Sequence, residues 1–309
     1  MHTGEAVRPD DDDPAEVALR ARMAEALEGL LGALRLEPRG EDRFTVAAEP
    51  GRFVRMFGGQ LVAQAVVASS STVPDKRVRS LHAYFVAAGS PDVPVEIAVE
   101  RVRDGRAVST RHVTVSQGDR PLLVALASFD AADADEPFAA PAPLAPAPHD
   151  VPRLQHWVPG SPSAREQHAA NWIDRPPPVD LRVDEPPCFL GGPARTEDRS
   201  HWMRVPERLD DDPVLHAALL AYASDYLLLD MALRSHPAPE TVAPPSIVSL
   251  DHAVWFHLPA RFDRWHLHTQ SPIALAGDRG LVRGVIHDED GAHVATVVQD
   301  TLIRSGGPS

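Results

Sequence analysis

The residue most able to do chemistry is Asp225, in the stretch "LHAALLAYASDYLLLDMAL". This stretch is apolar almost all the way round, as expected of a helix inside a protein. A carboxylate there is costly unless it has a partner. Leu215, Leu219, Tyr222, Tyr226, Leu229 and Leu233 form an apolar stripe at heptad-like spacing. Asp225 lies on its flank, with Ala218 and Ala221 one turn earlier, leaving room beside the carboxylate. Such an acid either accepts structural hydrogen bonds or serves in acid–base work, and the pattern leaves both open. Asp230, nearer the helix end, reads as structural. Ser249 and Gln299 interrupt two strand-like runs, "SIVSLDHAVWFHL" and "HVATVVQDTLIR". Alternation puts Val248, Leu250, Val254 and Phe256 on one face of the first run and Ser249 and Asp251 on the other. A polar residue inside such a strand usually has an assigned partner.

Other chemistries lack their residues. The chain has no G-x-S-x-G elbow, no P-loop and no G-x-G-x-x-G opening a helix after a strand. Cys188, in the loop-like "EPPCFLGGP", has no helix start to lower its pKa and reads as inert. Fifteen histidines invite a metal reading. His266 and His268 share a strand face, and His252 and His257 are expected on opposite faces. No H-E-x-x-H or supporting carboxylates accompany them, so strand and loop histidines are expected, with neither metal nor cofactor.

These residues need elements to hold them. A helix over "AEALEGLLGALRLE" (Leu27, Leu30, Leu31 and Leu34 at helical spacing) and a strand at "DRFTVAAE" come first. A second helix opens at "FGGQLVAQAVVASSS", after Gly58 and Gly59 and before Pro74. Strands follow in "SLHAYFVAA" and "VEIAVERVRDGRAVSTRHVTVSQGDRPLLVALASFD", divided at Asp104–Gly105 and Gly118–Asp119. From Ala131 to Pro152 the chain is rich in Ala, Pro and Asp, read as a stiff, unpacked linker. A polar segment to Pro178 continues it, with a short helix near "SAREQHAANWI". The pattern then restarts: "VDLRVDE" and "SHWMRVPE", the Asp225 helix and a meander of strands to Arg304. "HAYF" and "HAVWF" occupy like places, as do "VRDGRAV" and "AGDRGLV". The chain is a duplicated α+β unit in which a sheet wraps a central helix. The expected divisions are a disordered acidic tail at 1–13, a first unit at 14–130, a Pro-rich linker at 131–178 and a second unit at 179–305.

Composition narrows the partners. The 44 acidic residues outnumber 30 basic ones across 309 positions, for a formal charge of −14. That argues against nucleic acid or an anionic membrane as main partner. One cysteine permits no internal disulfide and fits a reducing compartment. No signal-peptide core or membrane-length apolar run is apparent, so a soluble cytoplasmic protein is expected.

Taken in order, "FGGQLVAQA", "SLHAYFVAAGS", "LLAYASDYLLLD", "SLDHAVWFH", "GLVRG" and "VATVVQD" resemble the acyl-CoA thioesterase II (TesB-like) family, over nearly the whole chain. The resemblance implies a double hotdog fold: two tandem units, each an antiparallel sheet around a helix. It implies hydrolysis of acyl-CoA to fatty acid and CoA, with no cofactor, by a homo-oligomer (dimer or tetramer). Its catalytic set of Asp, Ser or Thr, and Gln maps onto Asp225, Ser249 and Gln299, which would hold a water activated by Asp225. The residue after the Gln is Asp300 where the family usually has Glu, and "SPIALAGDRG" departs from the family's loop. Gln64 falls on the first helix about where Asp225 falls on the second. The helix start at Gly58, Gly59 and Gln60 is the expected substrate contact, with close packing the competing role of the glycines. Arg103, Arg106 and Arg279 are candidates for the CoA phosphates. The readings set beside this one are a non-catalytic acyl-CoA-binding hotdog protein and a hotdog hydratase acting on enoyl or hydroxyacyl thioesters. The latter's Asp/His site motif is absent.

Overall fold

A computed structural model of the chain describes residues 13–47, 54–131, 139, 141–160, 166–242 and 247–304. The expected acidic tail, apart from Asp13, lies outside them. Helix α1 (Pro14–Ala33) starts ten residues, about three turns, before the predicted stretch. Asp13 caps it, accepting from the Ala15 N–H at 2.9 Å, and Pro14 follows at the first helical position. Then come β1 (Glu37–Pro38), β2 (Arg43–Val46), α2 (Gly58–Ser71), β3 (Arg77–Phe85), β4 (Val95–Asp104), β5 (Val108–Gln117) and β6 (Arg120–Asp130). The second half holds α3 (Glu166–Asp174), β7 (Asp180–Val183), β8 (Arg199–Arg204), α4 (Pro213–Ser224) and α5 (Leu228–Arg234). It ends in β9 (Ile247–Ser249), β10 (Asp251–Phe256), β11 (His266–Ala276), β12 (Arg279–Asp288) and β13 (His293–Ile303).

The described strands form one antiparallel sheet in the order β1-β2-β4-β5-β6-β3-β10-β13-β12-β11-β8-β7, with β9 also on β13. Read inward from each edge, the two halves have the same order, so the duplication in sequence is a duplication in topology. They meet where β3 pairs with β10, Leu81 opposite Val254 and Ala83 opposite His252. Helices α2 and α4 pack on each other inside the curl of the sheet. Their buried faces (Leu61, Val62 and Val66; Leu219, Leu220 and Ala223) join one core. Each buried Leu or Val contributes roughly 1.5–3 kcal/mol. This is the expected α+β double hotdog arrangement.

Three expectations need correction. The stretch 141–160 is packed: Leu154 is buried, Val151 sits against Trp202, and the Trp202 indole N–H donates to Pro146 O at 2.9 Å. Proline removes backbone donors without preventing side chains and carbonyls from docking. The segment Pro213–Arg234 is, by composition, long and apolar enough to cross a bilayer, but it is mostly buried in this core. The "HAYF" and "HAVWF" likeness is offset by one residue. His82 is exposed on the outer face, 4.6 Å from the Trp255 ring, whereas His252 is fully buried on the inner face. A one-residue slip exchanges the faces of a strand.

Candidate active site

The predicted single helix is two helices. Helix α4 ends at Ser224, a turn spans Asp225 to Leu227, and α5 begins at Leu228. Leu227 has φ of +66°, a left-handed backbone that is uncommon without glycine. Carbonyls freed by the break are met by side chains from the sheet: Gln270 Nε2 donates to Tyr226 O at 2.9 Å, and Arg199 to Leu227 O at 3.4 Å. Asp230 accepts from Arg199 (2.6 Å) and from the N–H groups of Cys188 (3.1 Å) and Phe189 (2.9 Å), which is the structural role expected of it. Cys188 is buried there.

The break brings Asp225 to the start of α2, in the other half of the molecule. Phe57, at the N-cap position of α2, offers no side-chain cap. Asp225 Oδ2 accepts from the Gly59 N–H at 2.8 Å and so caps that helix from outside, at its positive end. Both glycines are needed for this approach. A Cβ on Gly58 would lie 2.8 Å from Asp225 Oδ2, and one on Gly59 would lie 2.3 Å from Tyr222 O. The ring of Phe57 stacks on Tyr226 at 4.7 Å and closes that side. Asp225 is 7 % exposed, and its Oδ1 meets no protein hydrogen-bond partner among the described residues. Burial pushes its carboxyl above the usual range; His252, the Gly59 N–H and the Gln299 amide oppose that shift.

Ser249 and Gln299 are joined: Gln299 Nε2 donates to Ser249 Oγ at 2.7 Å. Simple alternation does not put them on one face. Along β10, Ala253 faces Val298 and Val254 faces Val297, but in β9 Ser249 faces Thr301 and Val248 faces Leu302. The register slips by one residue at Leu250. Such a slip re-aims a side chain, and it turns Ser249 to the inner face with Gln299. Gln299 is fully buried and Ser249 half-buried, so the serine is the more accessible end of the pair.

The residue that sequence reasoning missed is His252. Its Nδ1 lies 2.8 Å from Gln299 Oε1 and 3.8 Å from Asp225 Oδ1, and its Nε2 lies 2.9 Å from Ser224 Oγ. It therefore links the Asp225 turn to the Gln299–Ser249 pair. The signal was present: Val254 and Phe256 define the apolar face of β10, and His252 shares their parity.

Of the other candidates, Gln64, Arg103 and Arg279 are taken up elsewhere. Gln64 donates to Ala33 O (3.0 Å) and Ala47 O (3.2 Å), fastening α2 to the segments before it. Arg279 pairs with Asp300. Arg103 accepts, through its carbonyl, a bond from Arg111. Gln60 is buried, and its Nε2 has no protein partner among the described residues. Among the described residues no group of three or more His, Cys, Asp or Glu side chains is arranged to hold a metal ion.

Comparison with known proteins agrees with this architecture. Residues 173–302 match the family model described as acyl-CoA thioesterase, and residues 49–130 match the acyl-CoA thioesterase N-terminal domain. The chain is 34 % identical to human acyl-coenzyme A thioesterase 8, over 88 % of this chain and 87 % of that one. It is 31 % identical to acyl-CoA thioesterase 2 of Haemophilus influenzae, over 91 % and 99 % respectively. Among solved structures, the acyl-CoA thioesterase II TesB2 of Mycobacterium marinum superposes with a TM-score of 0.73 at 32 % identity, covering 92 % of this chain and all of that one.

Proposed function

The chain belongs to the acyl-CoA thioesterase II (TesB-like) family, and on that premise we propose that it hydrolyses acyl-CoA to free fatty acid and CoA with Asp225 as the base that activates water. The observation that carries the mechanism is the asymmetry of the Asp225 carboxylate. One oxygen is tied to the Gly59 N–H, and the other has no close hydrogen bond among the described residues, with His252 Nδ1 3.8 Å away and the Gln299 amide beside the carboxyl. The tied oxygen fixes orientation, and the other is left to accept a proton from water.

Ser249 supplies a second contact to that water. Its oxygen already accepts from Gln299 Nε2, which leaves its own proton to donate. Gln299 can hold that orientation because its Oε1 is met by His252 Nδ1, and Ser224 Oγ is within reach of His252 Nε2. The water oxygen attacks the thioester carbonyl carbon as its proton passes to Asp225 Oδ1. The tetrahedral intermediate collapses with loss of CoA thiolate, a good leaving group, and no acyl-enzyme forms. Holding one water in attack geometry avoids an entropic cost, so positioning contributes alongside basicity.

The start of α2 is where we expect the thioester to lie. Gly58 and Gly59 let the helix approach the carboxylate, its positive end favours a developing oxyanion, and Gln60 offers a buried amide N–H₂, without a protein partner among the described residues, for substrate. The lone cysteine fits a cytoplasmic, reducing compartment and the negative charge argues against nucleic acid or membrane as partner, while membership of the family supports acyl-CoA as substrate and a homo-oligomer. The test is release of free thiol from a panel of acyl-CoAs, with and without EDTA. Chelator-resistant release is expected. Failure to release thiol from any chain length refutes the assignment, and loss with EDTA that zinc restores refutes the metal-free mechanism.

A further inference from the structure

Beneath the break, on the inner face of β8 and β11, His201 and His268 stand opposite each other in register. Their ring centroids are 4.9 Å apart and the rings are tilted by 52°. Both are buried, at 1 % and 0 % exposure. Among the described residues none of their four ring nitrogens has a protein hydrogen-bond partner, and Gln270 Oε1 and Arg199 Nε beside them are likewise unpaired. A buried polar atom left unbonded costs about 1–3 kcal/mol. Six of the twenty such atoms among the described residues fall in this one cluster. Polar surroundings with several converging donors and acceptors are what internal water requires.

The cluster leans toward the site. The ring of His268 lies over β12, where Gly284 makes space for it: a Cβ there would fall 2.1 Å from His268 Nε2. Leaning from β11 over β12 directs it toward β13, which carries Gln299. The field of His252 reaches it. Gln270 uses its other end to hold Tyr226 O, the residue after Asp225. Burial holds the His268 ring neutral down to about 3 and the His201 ring neutral well below its usual range. Both are therefore neutral groups that can donate through one nitrogen and accept through the other.

We propose that His201 and His268, with Gln270, hold internal water behind the Asp225 turn, and that this water orders and resupplies the water that attacks the thioester. The second clause rests on the hydrolase reading above. His268 is then a positioning residue that acts through water. The experiment combines a high-resolution crystal structure of the full chain with kcat, KM and melting temperature for H268F and H268N. Ordered water within about 3.2 Å of an imidazole nitrogen of His268 or His201 is expected. H268F is expected to melt at or above the parent, because a desolvated imidazole is removed. Its kcat should fall about ten- to a hundredfold with KM kept. H268N, which keeps a donor and an acceptor, should recover most of that loss. Should H268F not fold, H201F is read by the same criteria. A dry pocket, a parental kcat in H268F, or equal losses of kcat and melting temperature in both variants would overturn the proposal. The crystal readout needs no substrate, so a parent enzyme that releases no thiol refutes the hydrolase reading while the water site is judged on its own density.

Discussion

The two halves of the sheet repeat one strand order but present different inner faces to their helices. In the first half the inner face is mostly apolar: Leu81 and Ala83 on β3, Ala125 on β6, Val113 and Val115 on β5 and Ile97 on β4 are all buried, with Ser109 and Arg111 of β5 the buried polar exceptions. Its buried cation, Arg111, is well met by Thr72 Oγ1 (2.7 Å), Thr72 O (3.1 Å), Arg103 O (3.0 Å) and Asp104 (2.5 Å). In the second half the corresponding strands carry His252, Gln299, His268, Gln270 and His201, and among the described residues the ring nitrogens of His268 and His201 and Gln270 Oε1 have no protein partner. The helices differ in the same sense. Helix α2 runs unbroken for 14 residues, whereas its counterpart breaks after 12 and resumes at Leu228. One copy is built for stability and lends the site a helix end and the clearance of two glycines. The other tolerates strain and underbonded polar groups, which is where chemistry is usually found.

The sharpest way to break this contrast is Asp225→Asn. Asparagine keeps an oxygen for the Gly59 N–H and removes the base. Turnover is expected to fall by about a hundred- to ten-thousand-fold with KM largely kept, measured as thiol release on protein whose melting curve is recorded in parallel. A variant with parental turnover would take Asp225 out of the mechanism.

The paired glutamines test the contrast next. Gln299 and Gln64 are each fully buried, one per half. Gln299→Ala removes the group that orients Ser249 and meets His252, and kcat should drop by about ten- to a hundredfold, a loss of roughly 1.5–3 kcal/mol of hydrogen bonding. Gln64→Ala removes two bonds to backbone carbonyls and should lower stability by about 1 kcal/mol per bond, leaving kcat per folded molecule unchanged. Urea melts and active-site-normalised rates distinguish the two. If Gln64→Ala slows turnover as much as Gln299→Ala does, the first half is not a passive scaffold.

A smaller effect, on stability, is expected at the junction of the halves. Gly59→Ala forces a methyl into the Tyr222 carbonyl and the Phe57 ring and should cost about 1–3 kcal/mol. Gly32→Ala, inside α1 with open space around its Cβ, should stabilise by about 0.5–1 kcal/mol. Thermal melts of the pair measure the difference between a glycine the site requires and one it does not.

These contrasts also show what the sequence made legible. The duplication and the order of elements along the chain could be read from repeated patterns, and the grouping of Asp225, Ser249 and Gln299 from the family resemblance. The start of α1 was encoded by Asp13–Pro14 but obscured by the acidic run around it. The break after Ser224 has no signature, since "YASDYLLLD" contains neither Gly nor Pro and the groups that meet its freed carbonyls, Gln270 and Arg199, lie far along the chain. The register slip at Leu250 is equally silent, because a bulge is set by pairing rather than by composition. His252 could have been found from parity alone.

The smallest expected effect is the part of the pH dependence of stability that Asp225, in the second half, contributes. Asp225 has a carboxyl raised above its unfolded value, with burial as the main cause. Between the unfolded and the folded pKa the native state binds more protons than the unfolded state, so stability falls as pH rises through that window. Above it the cost of the buried charge is fully present, and below the unfolded pKa it is gone. Asp225→Asn carries no such charge, so it should melt higher than the parent at neutral pH, and the difference should shrink as the pH is lowered through the folded pKa. Turnover by the parent should run the opposite way, since only the carboxylate can accept the proton of water: kcat rises with pH through the same pKa at which stability is lost. A shift of a few degrees is the expected size, at roughly 2–4 °C per kcal/mol for a large domain. If the parent and Asp225→Asn keep the same melting difference from acid to neutral pH, the carboxylate is not held against its own desolvation. The second half would then have no stored cost to set against the apolar calm of the first.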